Sequence, residues 1–176
     1  AITAASLEYQ SRKQLEGGWG EWGSTSTIDG TVTTFDVDLG GGTFQLRARN
    51  VRGDLASEWS TSDAVVTICP PEAPTLLTPT SSAVVPTDQE TISFAWSHNP
   101  IDGSKQTAAE VQISFDKGSS WTTHSATTNQ TLDMPTPQKL NAEALWRVRT
   151  KGSHEDFGQW SANRPFSIRQ RPSVSI

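Results

Sequence analysis

Thr91-Ile92-Ser93-Phe94-Ala95-Trp96 places an apolar side chain at every second position. A period of two sends Ile92, Phe94 and Trp96 to one face of a strand and their neighbours to the other. The same alternation recurs on both sides of this segment. Val111, Ile113 and Phe115 alternate in Ala109–Phe115, followed by Leu132 and Met134, Trp146 and Val148, and Phe166 and Ile168. Upstream the sets are Phe35, Val37 and Leu39, then Phe44, Leu46 and Ala48, then Val66 and Ile68. No window of about 11 residues has the 3.6-residue period of an amphipathic helix. Ser, Thr, Gly and Pro punctuate the chain every few residues, as they do where short strands are joined by tight turns. The sequence therefore predicts an all-β protein with almost no helix.

The two halves repeat one another. Glu8-Tyr9-Gln10 matches Glu110-Val111-Gln112, and Gly17-Gly18-Trp19 matches Gly118-Ser119-Ser120-Trp121. Arg47-Ala48-Arg49 matches Arg147-Val148-Arg149, and Glu58-Trp59-Ser60 matches Gln159-Trp160-Ser161. Four landmarks in one order, at an offset that stays near 100, indicate an internal repeat. Cys69-Pro70-Pro71-Glu72-Ala73-Pro74 lies where a linker belongs, because proline fixes φ and removes backbone donors.

The 176 residues have room for nearly two sandwich domains of roughly 100 residues each. Only 34% of them are hydrophobic, so a core here must be thin and rely on large side chains, and seven of them are Trp. Net charge is −5. Residues 1–69 carry nine acidic and five basic side chains, and residues 70–176 carry ten and nine. Neither half has the basic surplus that nucleic-acid binding requires. One cysteine, Cys69, excludes an intrachain disulfide. No stretch approaches the roughly 20 apolar residues of a membrane helix, so no membrane insertion is expected.

The second half resembles fibronectin type III modules, seven-stranded sandwiches with strands lettered A to G. Pro74–Pro79 reads as strand A, Thr91–Trp96 as B and Ala109–Phe115 as C. Leu140 followed by Leu145–Thr150 reads as the approach to F, and Gly158-Gln159-Trp160-Ser161 as the G-x-W-S segment that opens G. The resemblance implies tandem immunoglobulin-like β-sandwiches. Residues 70–169 form a complete module, and residues 1–69 a partial one that begins at strand C and runs to G. Residues 170–176 start a linker. The Tyr usual in the family three residues before the first Arg of strand F is replaced by Phe44 and Ala144. A narrower resemblance links Trp96–Thr107, with its Asn99-Pro100-Ile101-Asp102-Gly103 turn, and Ser114–Trp121 to modules of bacteriophage tail and tail-tip proteins and of secreted bacterial proteins.

The residues that carry chemistry elsewhere have simpler readings here. His98, His124 and His154 are scattered over loops and a strand edge, without metal-ligand spacing, and read as solvated. Asp36 and Asp38 alternate with Phe35, Val37 and Leu39 and read as an outer face. Gly40-Gly41-Gly42 reads as an E–F turn rather than a phosphate loop. No catalytic set, cofactor or metal is expected. Arg47 and Arg49 with Trp59, and Arg147 and Arg149 with Trp160, read as one outward ladder built twice. Trp19, Trp22 and Trp121 are candidates for glycan contact through their ring faces, against a reading in which they cover the end of the core. Arg52-Gly53-Asp54 falls on the F–G loop, where an integrin-binding tripeptide occurs in the family. Asn50, Gly53 and Ser57 already match the ordinary turn after strand F, so Gly53 is explained by backbone conformation alone.

The expected function is that of non-catalytic structural or spacer modules of a larger bacteriophage tail or tail-tip protein, located in the virion. The partners would be other virion proteins or copies of itself, with weak attachment to host surface glycans. The alternative is a glycan- or cell-surface-binding accessory module of an extracellular bacterial adhesin or secreted hydrolase. The partial first module is expected to need strands A and B from preceding residues or from a neighbouring copy.

Overall fold

The computed structural model describes residues 5–137 and 141–172. Leu140, most of the expected linker at 170–176, and residues 1–4 lie outside the described residues. The chain divides into two compact units, Ala1–Cys69 and Pro70–Ile176.

The second unit is a two-sheet sandwich. One sheet runs in the order β13 (Thr131–Pro135), β10 (Thr91–Asn99), β8 (Glu72–Thr78). The other runs β12 (Thr122–Ala126), β11 (Ala108–Ser114), β14 (Ala142–Lys151), β15 (Arg164–Arg169), β9 (Val84–Pro86). All pairings are antiparallel except β9 with β15, which is parallel. The core is made where the alternating faces meet. Ile92, Phe94 and Trp96 from β10 pack against Val111, Ile113, Trp146, Val148, Phe166 and Ile168. Phe94 sits edge-on to Trp146 at 5.2 Å and to Phe166 at 5.9 Å, a geometry favoured by the ring quadrupoles. Both buried indoles find acceptors. Trp96 Nε1 donates to Gln106 Oε1 at 2.8 Å, and Trp146 Nε1 to the Pro79 carbonyl at 3.2 Å. Gln106 in turn donates to the carbonyls of Thr127 and Asn129. A buried side chain is thus satisfied at every polar atom.

The first unit is built from a single sheet. β1 (Ser6–Leu15) pairs with β2 (Gly18–Trp19), β3 (Ser26–Asp29) and the long β4 (Gly42–Arg52). Three short strands, β5 (Leu55–Ala56), β6 (Ser60–Thr61) and β7 (Val65–Thr67), also pair with β4. These elements correspond to strands C, C′, F and G of the second unit.

Two expectations for residues 1–69 need correction. The strand expected at Phe35, Val37 and Leu39, which would be strand E, does not form. In the second unit the matching strand β13 is held by β10, and no equivalent of β10 is present among the described residues of the first. Without a partner for its ladder, an alternating segment has no hydrogen bonds to define a strand. The second correction concerns Val66 and Ile68. Phe44 pairs with Val65 and Gly42 with Thr67, so Val65 and Thr67 take the inward face and Val66 and Ile68 point out, 63% and 55% exposed. The Thr67 hydroxyl fixes this register by donating to the carbonyls of Gly40 and Gly42.

Candidate functional site

The outer face of the sheet that holds β1 and β4 in the first unit, and of the sheet that holds β11 and β14 in the second, carries the same construction. In the first unit the β1–β4 register sets Glu8 opposite Arg49, Gln10 opposite Arg47 and Arg12 opposite Gln45. Arg49 donates to Glu8 Oε2 through Nε at 2.8 Å and Nη2 at 2.7 Å. Arg47 Nε donates to Gln10 Oε1 at 2.7 Å, and Arg12 donates to Gln45 Oε1 through Nε at 3.0 Å and Nη2 at 2.6 Å. With their edges held by hydrogen bonds, the guanidinium planes stack on indole rings. Arg12 lies over Trp19 at 5.2 Å and Trp22 at 4.4 Å. Arg47 lies over Trp22 at 4.3 Å and Trp59 at 4.5 Å, and Arg49 over Trp59 at 4.5 Å.

The second unit repeats it. Glu110 faces Arg149 and Gln112 faces Arg147. Arg149 donates to Glu110 Oε2 at 2.7 Å through both Nε and Nη2, and Arg147 donates to Gln112 Oε1 at 2.9 Å and 2.7 Å. Arg147 lies over Trp121 at 4.2 Å and Trp160 at 4.7 Å. Arg149 lies over Trp160 at 4.7 Å and Phe157 at 4.8 Å.

This arrangement explains the tryptophan count. Trp22, Trp59 and Trp160 are each stacked between two arginines, so their ring faces are occupied from within the protein. Trp19 and Trp121 end the ladders and each touches one arginine. Trp121 therefore belongs to the outer face with Arg147, and does not cover the end of the core. The sequence indicated the Arg-x-Arg and Trp half of the ladder. It did not indicate that Glu8, Gln10, Glu110 and Gln112 hold the guanidinium edges. The signal was available: Glu-x-Gln recurs with the period of two that matches Arg-x-Arg on an antiparallel neighbour. Each stacked ring is worth roughly 0.5–1 kcal/mol at a half-exposed site. Arg147→Met keeps the aliphatic stem and removes both stacking contacts and the amide bonds. It is expected to lower second-unit stability by about 1–2 kcal/mol in denaturant titrations, from those two rings.

Arg52, Gly53 and Asp54 stand at an exposed hairpin tip, with Val51 paired to Ala56 and Arg52 to Leu55. Gly53 has φ +59°, the left-handed region that glycine enters without a Cβ penalty. The tip is fastened by Asn50 and Ser57: the Asn50 carbonyl accepts from Ser57 N at 2.9 Å, and Asn50 N donates to Ser57 Oγ at 3.1 Å. No hydrogen bond or ring contact joins this tripeptide to Trp19 or Trp22 among the described residues.

The remaining candidates are dispersed. Asp36 and Asp38 are exposed, and Asp38 accepts from Gly40 N at 3.2 Å. His98 differs from the solvated reading: it is the next-to-last residue of β10, is half-buried, and its Nδ1 lies 2.8 Å from Thr150 Oγ1. Burial lowers its pKa below the ordinary histidine value. Among the described residues no cluster of three His, Cys, Asp or Glu is placed to hold a metal, and no helix is long and apolar enough to cross a membrane. An open depression of about 670 Å³ is lined by Pro70, Pro71, Glu72, Ala73, Ile101, Phe157, Gly158 and Gln159, with Glu72 its one ionisable side chain.

Asp116 organises the turn between β11 and β12. It accepts hydrogen bonds from Ser120 Oγ at 2.5 Å, Ser120 N at 2.8 Å and Ser114 Oγ at 2.7 Å. The Ser120 hydroxyl first, then its amide and the Ser114 hydroxyl, hold the carboxyl down to about 2. Because the folded value lies below the ordinary 3.8, the turn's contribution is complete above pH 3.8 and is lost as pH falls through about 2. An NMR titration of the Asp116 carboxyl is expected to show a midpoint near 2, with the Ser120 amide moving alongside. A midpoint at the ordinary value would mean that the turn does not hold this carboxylate in solution.

A two-sheet core in one unit, a matching half in the other and a doubled ladder define the class: immunoglobulin-like β-sandwiches of the fibronectin type III kind. Domains of this class are generally non-catalytic accessory modules. Residues 78–168 match the Rha78A-like, N-terminal immunoglobulin domain family, and through them the chain belongs to that family. Among solved structures it is similar to the FN1–FN3 domains of chicken CNTN1, at 13% identity and a TM-score of 0.58. That match covers 97% of this chain and 59% of the chicken chain, and at this identity it speaks for the fold alone. No curated protein matches the sequence.

Proposed function

We propose that the chain serves as structural spacer modules in a larger bacteriophage tail or tail-tip protein. In this reading they set the separation and orientation of other parts, and touch the host surface only weakly. The observation that carries the spacer role is the occupation of the ring faces. A glycan platform needs flat aromatic faces open to sugar rings, and here most indole faces are covered by the protein's own guanidinium groups. The edge-held ladder stiffens each sheet instead. The turn sequences Trp96–Thr107 and Ser114–Trp121 support placement in a virion.

A second reading is an accessory domain of an extracellular bacterial adhesin or secreted hydrolase. It is favoured by the family's name, which describes an N-terminal domain of a longer protein. Antibodies raised against the chain separate the two. Labelling of phage tails in electron micrographs is expected. Labelling of bacterial surfaces or secreted enzyme, with none on particles, favours the accessory reading. Glycan arrays should show no binding that depends on Trp19 or Trp121, the two rings at the ladder ends. Asp54→Glu is expected to leave any cell adhesion unchanged, since the hairpin needs only Gly53. Integrin-dependent adhesion lost with that one substitution would assign the Arg52-Gly53-Asp54 tip a recognition role.

A further inference from the structure

The second unit holds a cavity of about 220 Å³ at one pole of its sandwich. Its floor is the end of the aromatic core: Ile92 and Phe94 from β10, Ile113 from β11 and Phe166 from β15. Phe115 and Met134 close its sides. The mouth lies between β12 and β13, which end different sheets and share no ladder. Such a seam between two sheets stays open unless large apolar side chains from both edge strands fill it.

Here β12 does not fill it. The register sets Thr122 opposite Ile113 and His124 opposite Val111. Directly opposed residues share a face, so a threonine and a half-buried histidine occupy inner positions that would otherwise hold apolar side chains. Both line the cavity. Across the seam, Ile92 pairs with Met134 and Thr91 with Pro135, and Thr136 N continues the ladder by donating to the Glu90 carbonyl at 2.9 Å. A period of two then puts Thr136 on the inner face with Met134, between Pro135 and Pro137, which line the cavity as well. Thr136 is 5% exposed, and its Oγ1 has no hydrogen-bond partner among the described residues. A buried hydroxyl without a partner is costly and uncommon in a native core.

We infer that this cavity is a binding site for a small aromatic molecule carrying one hydroxyl group, of the phenol class. An apolar cavity of about 150 Å³ lined by Leu, Ile and Phe stays dry and takes up benzene. The larger space here has room for one ring and a substituent. Phe94, Phe115 and Phe166 offer ring contacts, and Met134 offers a polarisable sulfur. The Thr136 hydroxyl supplies the polar partner, with His124 on the rim. An apolar lining with a few polar groups is the ordinary make-up of a small-molecule site. The same lining rejects a sugar, whose hydroxyls would lose water against Ile92, Phe94 and Ile113 and gain nothing in return. The inference concerns the core of the second unit and is independent of the virion reading.

Met134 is the single methionine of the chain, so carbon-13 labelling of methionine methyls gives one NMR signal, and it comes from the cavity wall. Phenol titrated into the intact chain is expected to shift that signal saturably, with a Kd below about 1 mM. Benzene is expected to bind at least about threefold more weakly, the worth of one neutral hydrogen bond, and methyl glucoside to leave the signal unmoved. Thr136→Val keeps the side-chain shape and should abolish the preference for phenol while benzene still binds. Thr122→Phe sets a ring at the exposed mouth and should abolish binding of both. No saturable shift at about 10 mM phenol, ten times the expected Kd, would overturn the inference. So would a shift that survives Thr122→Phe in a folded variant, because the ring would then bind elsewhere. Equal affinity for phenol and benzene in the parent, or a preference that survives Thr136→Val, would overturn the assignment of the hydroxyl partner. If Thr122→Phe does not fold, the parent titration and the Thr136→Val comparison decide the matter.

Discussion

Replacing Trp146 by Ala is expected to lower the stability of the second unit by about 3–5 kcal/mol, the usual range for truncating a large buried aromatic. Trp146 is fully buried and joins both sheets. It meets Phe94 of β10 edge-on, and its indole donates to the Pro79 carbonyl beyond β8. Truncation removes the ring, empties the space between Phe94 and Val111, and leaves that carbonyl without its donor. A buried orphan acceptor adds about 1–3 kcal/mol on its own, and the neighbours recover part of the loss by collapsing. A whole domain holds only about 5–15 kcal/mol, so the variant should be near its midpoint at mild denaturant. Trp96→Ala should fall in the same range, because Gln106 then keeps its two donor bonds and loses its acceptor role in a buried site. Urea midpoints equal to the parent's for both variants would mean that the two indoles do not bridge the sheets.

The second unit was legible in the sequence because its strands have partners. Ile92, Phe94 and Trp96 alternate, and the strand that alternation implies finds β8 on one side and β13 on the other. Phe35, Val37 and Leu39 alternate equally well and form no strand. Periodicity reports which face a segment would bury, and the ladder depends on another segment that the pattern cannot supply. Val66 and Ile68 failed for a different reason. Their period is correct and their phase is wrong by one residue, and in a period of two one residue exchanges the faces. The phase was set by a hydroxyl, Thr67, reaching two glycine carbonyls, which hydrophobic patterning does not register. The arginine–tryptophan pairs were legible because they recur. The glutamate and glutamine partners were hidden because a polar residue on an outer face looks the same in sequence whether or not it holds a neighbour.

The ladder also bears on how a thin, aliphatic-poor chain orders its strands. Buried apolar area is the main favourable term in folding, and the first unit has little. Phe44 is its one buried apolar side chain of any size among the described residues, against thirteen buried apolar residues in the second unit. On the other side of the same sheet, five arginine–tryptophan contacts and one carboxylate pair bind β1, β2, β4, the segment after β2 and the segment between β5 and β6. At roughly 0.5–1 kcal/mol per contact the stacking gives about 2.5–5 kcal/mol. This is enough to define the outer face and far below the ordering cost of the strands, about 1–2 kcal/mol for each residue fixed.

Expressed separately, residues 70–169 are therefore expected to fold cooperatively and residues 1–69 are not. For the second unit, amides of β10, β11 and β14 should exchange only through global opening. For the first, the sheet should open at a cost of no more than about 3 kcal/mol, which is roughly a hundredfold slowing relative to an unstructured chain. The slowest amides should lie where β1 and β4 face each other under the ladder, and not in residues 33–39. Its exposed edges and bare inner face should also make the isolated fragment prone to concentration-dependent association, so exchange is measured at the lowest workable concentration alongside sedimentation. Arg47 touches two indoles and the amide of Gln10, so Arg47→Met should remove what protection remains. A monomeric fragment whose β1 and β4 amides exchange only through global opening would show that a single layer can stand on its ladder face alone.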